Sequence, residues 1–481
     1  MIKGLSSSRI GLVLGPLFFV LIQFGFKPDG LSESGVSVLA IALWVGVWWV
    51  TEAVPIAVSA LLPIVLFPLT GALDLSATTV AYGHKYVFLY LGGFFLAIAI
   101  EKVNLHRRIA LSIIGLIGTR MRLIVLGFMV ATAFLSMWIS NTATAVMMLP
   151  IGLAIVAQYR DHPDTPENEH TEFGKMLMLA IAYSASIGGI ATLIGTPPNL
   201  VFASMVKELY GIEIAFLDWM LLALPLSIVL LILCWWYLTR IAVRLYSDDF
   251  PGGVAEIKRQ KKALGRMQRQ EKRVLGVFVL TALAWICRSF LLSPYLPALD
   301  DTIIALSAGV VLFVLPGSQK STSILSWEDS KKIPWGILLL FGGGLAIATG
   351  FKDTGLAKWL AELLIALDFL PLLLMTFMLV AAINFLTEIT SNLATTAMIL
   401  PVLAPLAAAM GVSPYVFMVG ATLAASCAFM LPVATPPNAV VFGSGYVRMS
   451  DMIRAGLGLN LLSILIVTLW VYFVLPYFWP L

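Results

Sequence analysis

Two short polar motifs, each present twice, hold the residues of this chain whose types and spacing can do chemistry. Ser140-Asn141-Thr142-Ala143-Thr144 runs on to Pro150, and Ser391-Asn392-Leu393-Ala394-Thr395 runs on to Pro401. Thr196-Pro197-Pro198-Asn199 returns as Thr435-Pro436-Pro437-Asn438. Serine and asparagine are poor inside helices and good at their starts, so each Ser-Asn pair reads as the tip from which a helix begins. A helix start offers free N–H groups and the positive end of the dipole, which together suit an anion. The side-chain oxygens of Ser136, Ser140 and Asn141, joined by carbonyls of unwound backbone, suit a small hard cation such as sodium. The paired prolines supply that backbone, because they remove two donors and keep the preceding residue out of the helix.

Other chemistries find little support. The sequence has no His-Glu-x-x-His zinc motif, no nucleophile with a histidine base and no paired intramembrane aspartates, so a membrane enzyme is disfavoured. Cys234, Cys287 and Cys427 have no paired spacing and read as small buried hydrophobes. No Lys or Arg falls near the middle of any apolar span, where a charge costs about 2.5 to 3.5 kcal/mol on insertion scales. An anionic ligand would then be held by neutral donors, helix ends and co-bound cations. Glu388, three residues before Ser391, reads first as a carboxylate hydrogen-bonded within its own hairpin, with proton carriage or tuning of a cation site as the alternatives. Glu52 reads as a first-turn acid at a helix boundary, and His84 with Lys85 as interfacial. A passive channel is disfavoured by an occluded site at the midplane.

The elements that must position these residues follow from composition. A chain of 481 residues that is 60% hydrophobic and 12% charged, with a mean hydropathy of +0.96, has too little polar surface for a soluble globule. It reads as an all-α polytopic membrane protein. Spans of about 20 residues fall near 10–27, 36–50, 53–71, 86–101, 176–194, 216–240, 273–293, 302–316, 334–350, 415–433 and 455–476, eleven in all. The first block continues to Phe26 without a small-residue cleavage site and reads as a retained helix. Residues 123–158 are too short for two spans and a turn, so two half-helices forming a re-entrant hairpin fit better. Residues 369–410 fit either arrangement and are assigned a hairpin by symmetry.

Lysine and arginine set the orientation. Lys3 and Arg9 place the N-terminus in the cytoplasm, and alternation then puts every strongly basic segment on that side and the C-terminus outside. The linker after Ser247-Asp248-Asp249-Phe250-Pro251-Gly252-Gly253 reads as a solvated cytoplasmic helix rather than a lipid or nucleic-acid site. Asn104-Leu105-His106-Arg107-Arg108 opens an interfacial amphipathic helix. Gly92-Gly93 is echoed by Gly342-Gly343, in the same order as the two doubled motifs, which points to a duplication. Five spans lie between the Ser-Asn motifs. Five is odd, so the second motif enters from the opposite face and the repeats are inverted.

Trp49-Val50-Thr51-Glu52-Ala53-Val54-Pro55, Asn104-Leu105-His106-Arg107-Arg108, both Ser-Asn tips, both Pro-Pro segments and the stretch from Ser426 to Asn438 together resemble the divalent anion:sodium symporter family, whose members carry dicarboxylates, citrate or sulfate. The resemblance covers nearly the whole chain. It implies a homodimer in the cell inner membrane, working as an elevator: a scaffold of residues 1–121 and 273–366, a transport domain of 122–246 and 367–481, and a cytoplasmic linker of 247–272. It places one sodium at Ser136, Ser140, Asn141 and the Gly195 carbonyl, and a second at Thr387, Thr390, Asn392 and the Ala434 carbonyl. The family usually has a small residue where Thr390 stands. Substrate carboxylates would meet Asn141, Thr142, Asn392 and the Thr196-Pro197 and Thr435-Pro436 backbones. Leu393 departs from the threonine of some dicarboxylate carriers, and a hydrogen bond to a charged group is worth about 1.5 to 3 kcal/mol, so tricarboxylates stay open.

The expectation is sodium-coupled import of C4-dicarboxylates such as succinate, malate and fumarate. The alternatives are a dicarboxylate exchanger for 2-oxoglutarate or citrate and, less favoured, a sulfate symporter. Sodium is the coupling ion and no cofactor is expected; the partners are a small di- or tricarboxylate, sodium, membrane lipid and a second copy of the chain, with no nucleic acid.

Overall fold

The computed structural model of the protein describes residues 7–118, 120–161, 169–243, 253–317, 323–364 and 371–479. Among them every named element is a helix, and the one β contact is an isolated bridge between Pro316 and Ser323. Among the described residues, ten helices are long and apolar enough to cross a membrane. Two of these, Asn141–Arg160 and Asn392–Ala409, are the second arms of hairpins. The other eight, with the shorter apolar helices Ile56–Thr70, Asp301–Val314 and Pro414–Ala425, account for the eleven crossings expected from the sequence. The chain is a multi-pass helical membrane protein.

Both hairpins are present. The first joins Met121–Ser136 to Asn141–Arg160, and the second joins Leu372–Leu386 to Asn392–Ala409. Their arms are longer than half-helices. At 1.5 Å per residue the second arms run roughly 27 to 30 Å, close to a whole hydrocarbon core. The apolar count underestimated them because helix continues into polar residues, as at Gln158 to Arg160. What marks them as re-entrant is that both tips border one cavity, which turns on opposite membrane faces could not do.

The broken helices differ from expectation in one detail. Glu169–Ile190 stops well before the prolines, and Pro197–Tyr210 starts on them; Pro414–Ala425 and Pro436–Phe442 repeat the pattern. Proline costs nothing at the first turn, where the N–H has no partner in any case. The Pro-Pro pair therefore restarts each helix, and the unwound backbone lies upstream of it. The asparagine that follows ties this backbone down. Asn199 Nδ2 donates to the carbonyls of Gly189 at 3.2 Å, Ile190 at 3.1 Å and Thr192 at 2.7 Å. Asn438 Nδ2 donates to Ala428 at 3.3 Å and Leu431 at 3.0 Å, the same ten and seven residues back.

Small residues let the remaining helices close up. A side chain at Gly92 would meet the backbone of Ala305, and one at Gly343 that of Ala60. Helix Lys85–Lys102 thus lies on Asp301–Val314, and Trp335–Asp353 on the helices from Ile56 to Thr70, each glycine helix packing against the other repeat. Both arms of the first hairpin pack on Glu169–Ile190, and the second hairpin packs on Pro414–Ala425 and Met449–Leu469.

The linker expected to be cytoplasmic is less solvated than its charge suggests. Of the expected segment, 247–252 lies outside the described residues, and Gly253–Ala263 is a helix. Its Ile257 is buried beside Gly115 of the amphipathic helix Leu105–Ile117. Arg108 pins the end of the linker, donating to the Leu264 and Gly265 carbonyls at 3.2 and 3.1 Å while pairing with Glu271 at 3.0 Å.

Candidate functional site

A cavity of about 830 Å³ lies where the two tips meet the two breaks, within the usual size of a small-molecule site. The first tip contributes residues 140–142 and the first break 195–198; the second tip contributes 389–393 and the second break 433–437. Every site residue expected from the sequence lines this cavity except Ser136 and Thr387. Those two are fully buried one layer behind it.

The two buried hydroxyls do the same thing in each half. Ser136 Oγ donates to the Ala185 carbonyl at 2.7 Å and lies 2.6 Å from the side-chain amide of Asn141. Thr387 Oγ1 lies 2.7 Å from Asn392 Oδ1 and 3.1 Å from the Ala425 carbonyl. In the first half a third oxygen joins. The end of the Asn141 amide that faces Ser136 also lies 3.1 Å from Ala185 O and 3.3 Å from Gly195 O. Which end of an amide points inward is an assignment, and both ends make chemical sense here. With nitrogen inward the amide is a neutral lock; with oxygen inward it completes a set of four oxygens suited to a hard cation. A side chain at Gly189 would collide with this amide, which explains a glycine near the end of this buried helix.

The tips are capped differently. Ser140 Oγ accepts from Ala143 N at 3.3 Å, whereas Ser391 makes no side-chain cap bond. Thr390, expected as a sodium ligand, spends its hydroxyl on the Leu386 carbonyl at 2.8 Å and on Thr395 Oγ1 at 2.6 Å. Thr142 is exposed to the cavity, whereas Leu393, at the matching place, borders the cavity but is buried at 5% exposure. Among the described residues that line the cavity, Glu52 carries the only charge, and no lysine or arginine is present.

This doubled arrangement has a known setting. The family described as the sodium:sulfate symporter transmembrane region matches residues 7–481. The chain belongs to that family. Similar to it are the sodium-dependent dicarboxylate transporters SdcS of Staphylococcus saprophyticus, 47% identical over 97% of this chain and 91% of the relative, and of Staphylococcus aureus strain MW2, 48% identical over the same shares. The Alcanivorax borkumensis YdaH transporter, a crystal structure described as having an unusual topology, shares the fold with a TM-score of 0.60, 14% identity and 98% coverage of both chains.

Three features of this family member escape a reading of its sequence. Glu388 does not bond within its own hairpin. Its carboxylate accepts from the N–H groups of Phe429 at 2.7 Å, Met430 at 3.0 Å and Leu431 at 3.0 Å, holding the second break by three donors, and from Asn460 Nδ2 of the helix Met449–Leu469 at 2.7 Å. The first half does the equivalent with a neutral bond, Thr192 Oγ1 donating to the Met137 carbonyl at 2.5 Å. Glu52 is not a first-turn acid; it ends the helix Glu33–Thr51 in the left-handed region, at φ 48°, and faces the cavity. Trp138, at the first tip, stacks with Phe216 and Trp285 and meets Phe278 edge-on, at centroid distances of 6.0, 6.4 and 5.1 Å. Only an aromatic spacing resolved in three dimensions could have revealed that cluster.

Proposed function

We propose that this chain is a secondary transporter that carries C4-dicarboxylates across the cell inner membrane together with sodium. The observation that carries this reading is the pair of buried hydroxyl and asparagine contacts, Ser136 with Asn141 and Thr387 with Asn392, set behind one cavity that has no basic side chain. The family and the sodium-dependent dicarboxylate transporters among its relatives support it.

Sodium enters first. One ion is held by Ser136, Ser140, Asn141 and the Gly195 carbonyl, and a second by Thr387, Asn392, the Ala434 carbonyl and the backbone of Thr390. Two cations beside the tips offset a dianion that no lysine or arginine balances, so substrate binding depends on sodium binding. The carboxylates then meet Asn141, Thr142, Asn392 and the Thr196-Pro197 and Thr435-Pro436 backbones, at the positive ends of four helices. Leu393 lines the second tip with an apolar surface and sets which anions are accepted.

Residues 122–246 and 367–481 move as the transport domain against a scaffold of 1–121 and 273–366, in a homodimer, by an elevator stroke. Thr51, Glu52, Ile56, Pro334, Gly336 and Ile337 also line the cavity. The arginine and lysine count puts these on the cytoplasmic side, so this conformation faces inward. Uptake of labelled succinate into proteoliposomes tests the reading. Replacing external sodium by choline is expected to remove uptake into empty vesicles; undiminished uptake in choline would end the sodium coupling, and uptake only into preloaded vesicles would make the protein an exchanger.

A further inference from the structure

The two tips are held by different devices. In the first, Ser140 caps the helix it starts. In the second, the cap bond is missing and a buried pair of threonine hydroxyls stands in its place. A hydroxyl has one hydrogen. Thr390 uses its own on the Leu386 carbonyl, so in the 2.6 Å contact Thr395 is the donor and Thr390 the acceptor. The chain Thr395 to Thr390 to Leu386 therefore runs from the first turn of the second arm, across the tip, to the last residue of the first arm. Asn392 and Thr387 lie inside the loop it closes. Thr390 is 7% exposed and Thr395 not at all, so water does not compete for these bonds.

The first tip lacks this closure. With the repeat offset of 251 residues between Ser140 and Ser391, the place of Thr390 is taken by Ile139, and that of Thr395 by Thr144, whose buried hydroxyl has no partner. The closure is thus a property of the second tip and not a by-product of the hairpin fold.

We propose that Thr390 and Thr395 are positioning residues for the second cation site: their hydroxyl pair fixes the tip so that Asn392 stays opposite Thr387. This rests on the sodium-coupled reading above. Thr390 then acts on sodium through Asn392, without its hydroxyl touching the ion.

The test is sodium-dependent succinate uptake by reconstituted wild type, Thr390→Ala, Thr390→Ser, Thr395→Val and the Thr390→Ala/Thr395→Val double variant. Losing one such bond is expected to raise the half-saturating sodium concentration about 3- to 10-fold. Thr390→Ser keeps the hydroxyl and is expected to restore the wild-type value. The double variant is expected to match Thr390→Ala, which already removes both bonds of the chain. An unshifted sodium dependence in Thr390→Ala, a Thr390→Ser as impaired as the alanine, or additive losses in the double variant would overturn the closure while leaving the sodium coupling in place. Sodium-independent uptake by the wild type would overturn both.

Discussion

Asn141 and Asn392 sit at corresponding places in two inverted halves, each with a buried hydroxyl five residues earlier pressed against its amide. That equivalence could be read directly, because Ser-Asn is a helix-start signal and its recurrence is visible as text. Their partners could not. Ala185 and Ala425 contribute carbonyls from 49 and 38 residues away, and Glu388 reaches donors 41 to 72 residues on. Backbone groups of alanine, phenylalanine or methionine carry no signal in a sequence, so the carboxylate was assigned to its nearest neighbours. At this scale the prediction concerns the amides. In the proposed site, Asn141→Ala and Asn392→Ala would each remove a ligand to a charged group, worth about 1.5 to 3 kcal/mol, a ten- to hundred-fold loss of affinity. Each is expected to abolish succinate uptake while keeping a monodisperse profile on gel filtration; normal uptake by either would remove the tips from the site.

The helices were legible because about 20 apolar residues leave few alternatives in a membrane. The Pro-Pro segments were legible as interruptions but not as restarts, since the choice between ending a helix and beginning one depends on which backbone carbonyls Asn199 and Asn438 can reach. Packing between elements makes the two halves unequal in this conformation. Ile194, in the first break, is 6% exposed, whereas Val433, at the matching place in the second, is 79% exposed and lines the cavity. Likewise Trp138 is 8% exposed and Ile389 66%. Next to the covered side, Glu213 bridges Lys85 at 2.7 Å and Arg288 at 3.5 Å, and Arg288 pairs with Asp301 at 2.7 Å. Inverted repeats that exchange roles during a stroke would trade these environments. In inside-out vesicles, on a background lacking Cys287, Val433→Cys is expected to react with a membrane-impermeant maleimide and Ile194→Cys to be protected. Equal labelling of the two would rule out the inward-facing assignment.

For the whole molecule, composition was enough to place the chain in a membrane, and the odd number of spans between the motifs was enough to invert its halves. The gathering of four segments around one cavity was implied by that inversion. The cavity's lining from Val50 to Glu52, which brings a carboxylate to it, became visible only in three dimensions. A site that holds a dianion without a basic side chain has to borrow positive charge, and the account makes sodium the lender. Titration calorimetry of purified protein with succinate, repeated over a series of sodium concentrations at constant ionic strength with choline, measures this directly. If sodium lends that charge, affinity climbs steeply with sodium and binding disappears in choline alone; an affinity for succinate that stays the same when sodium is withdrawn would contradict it.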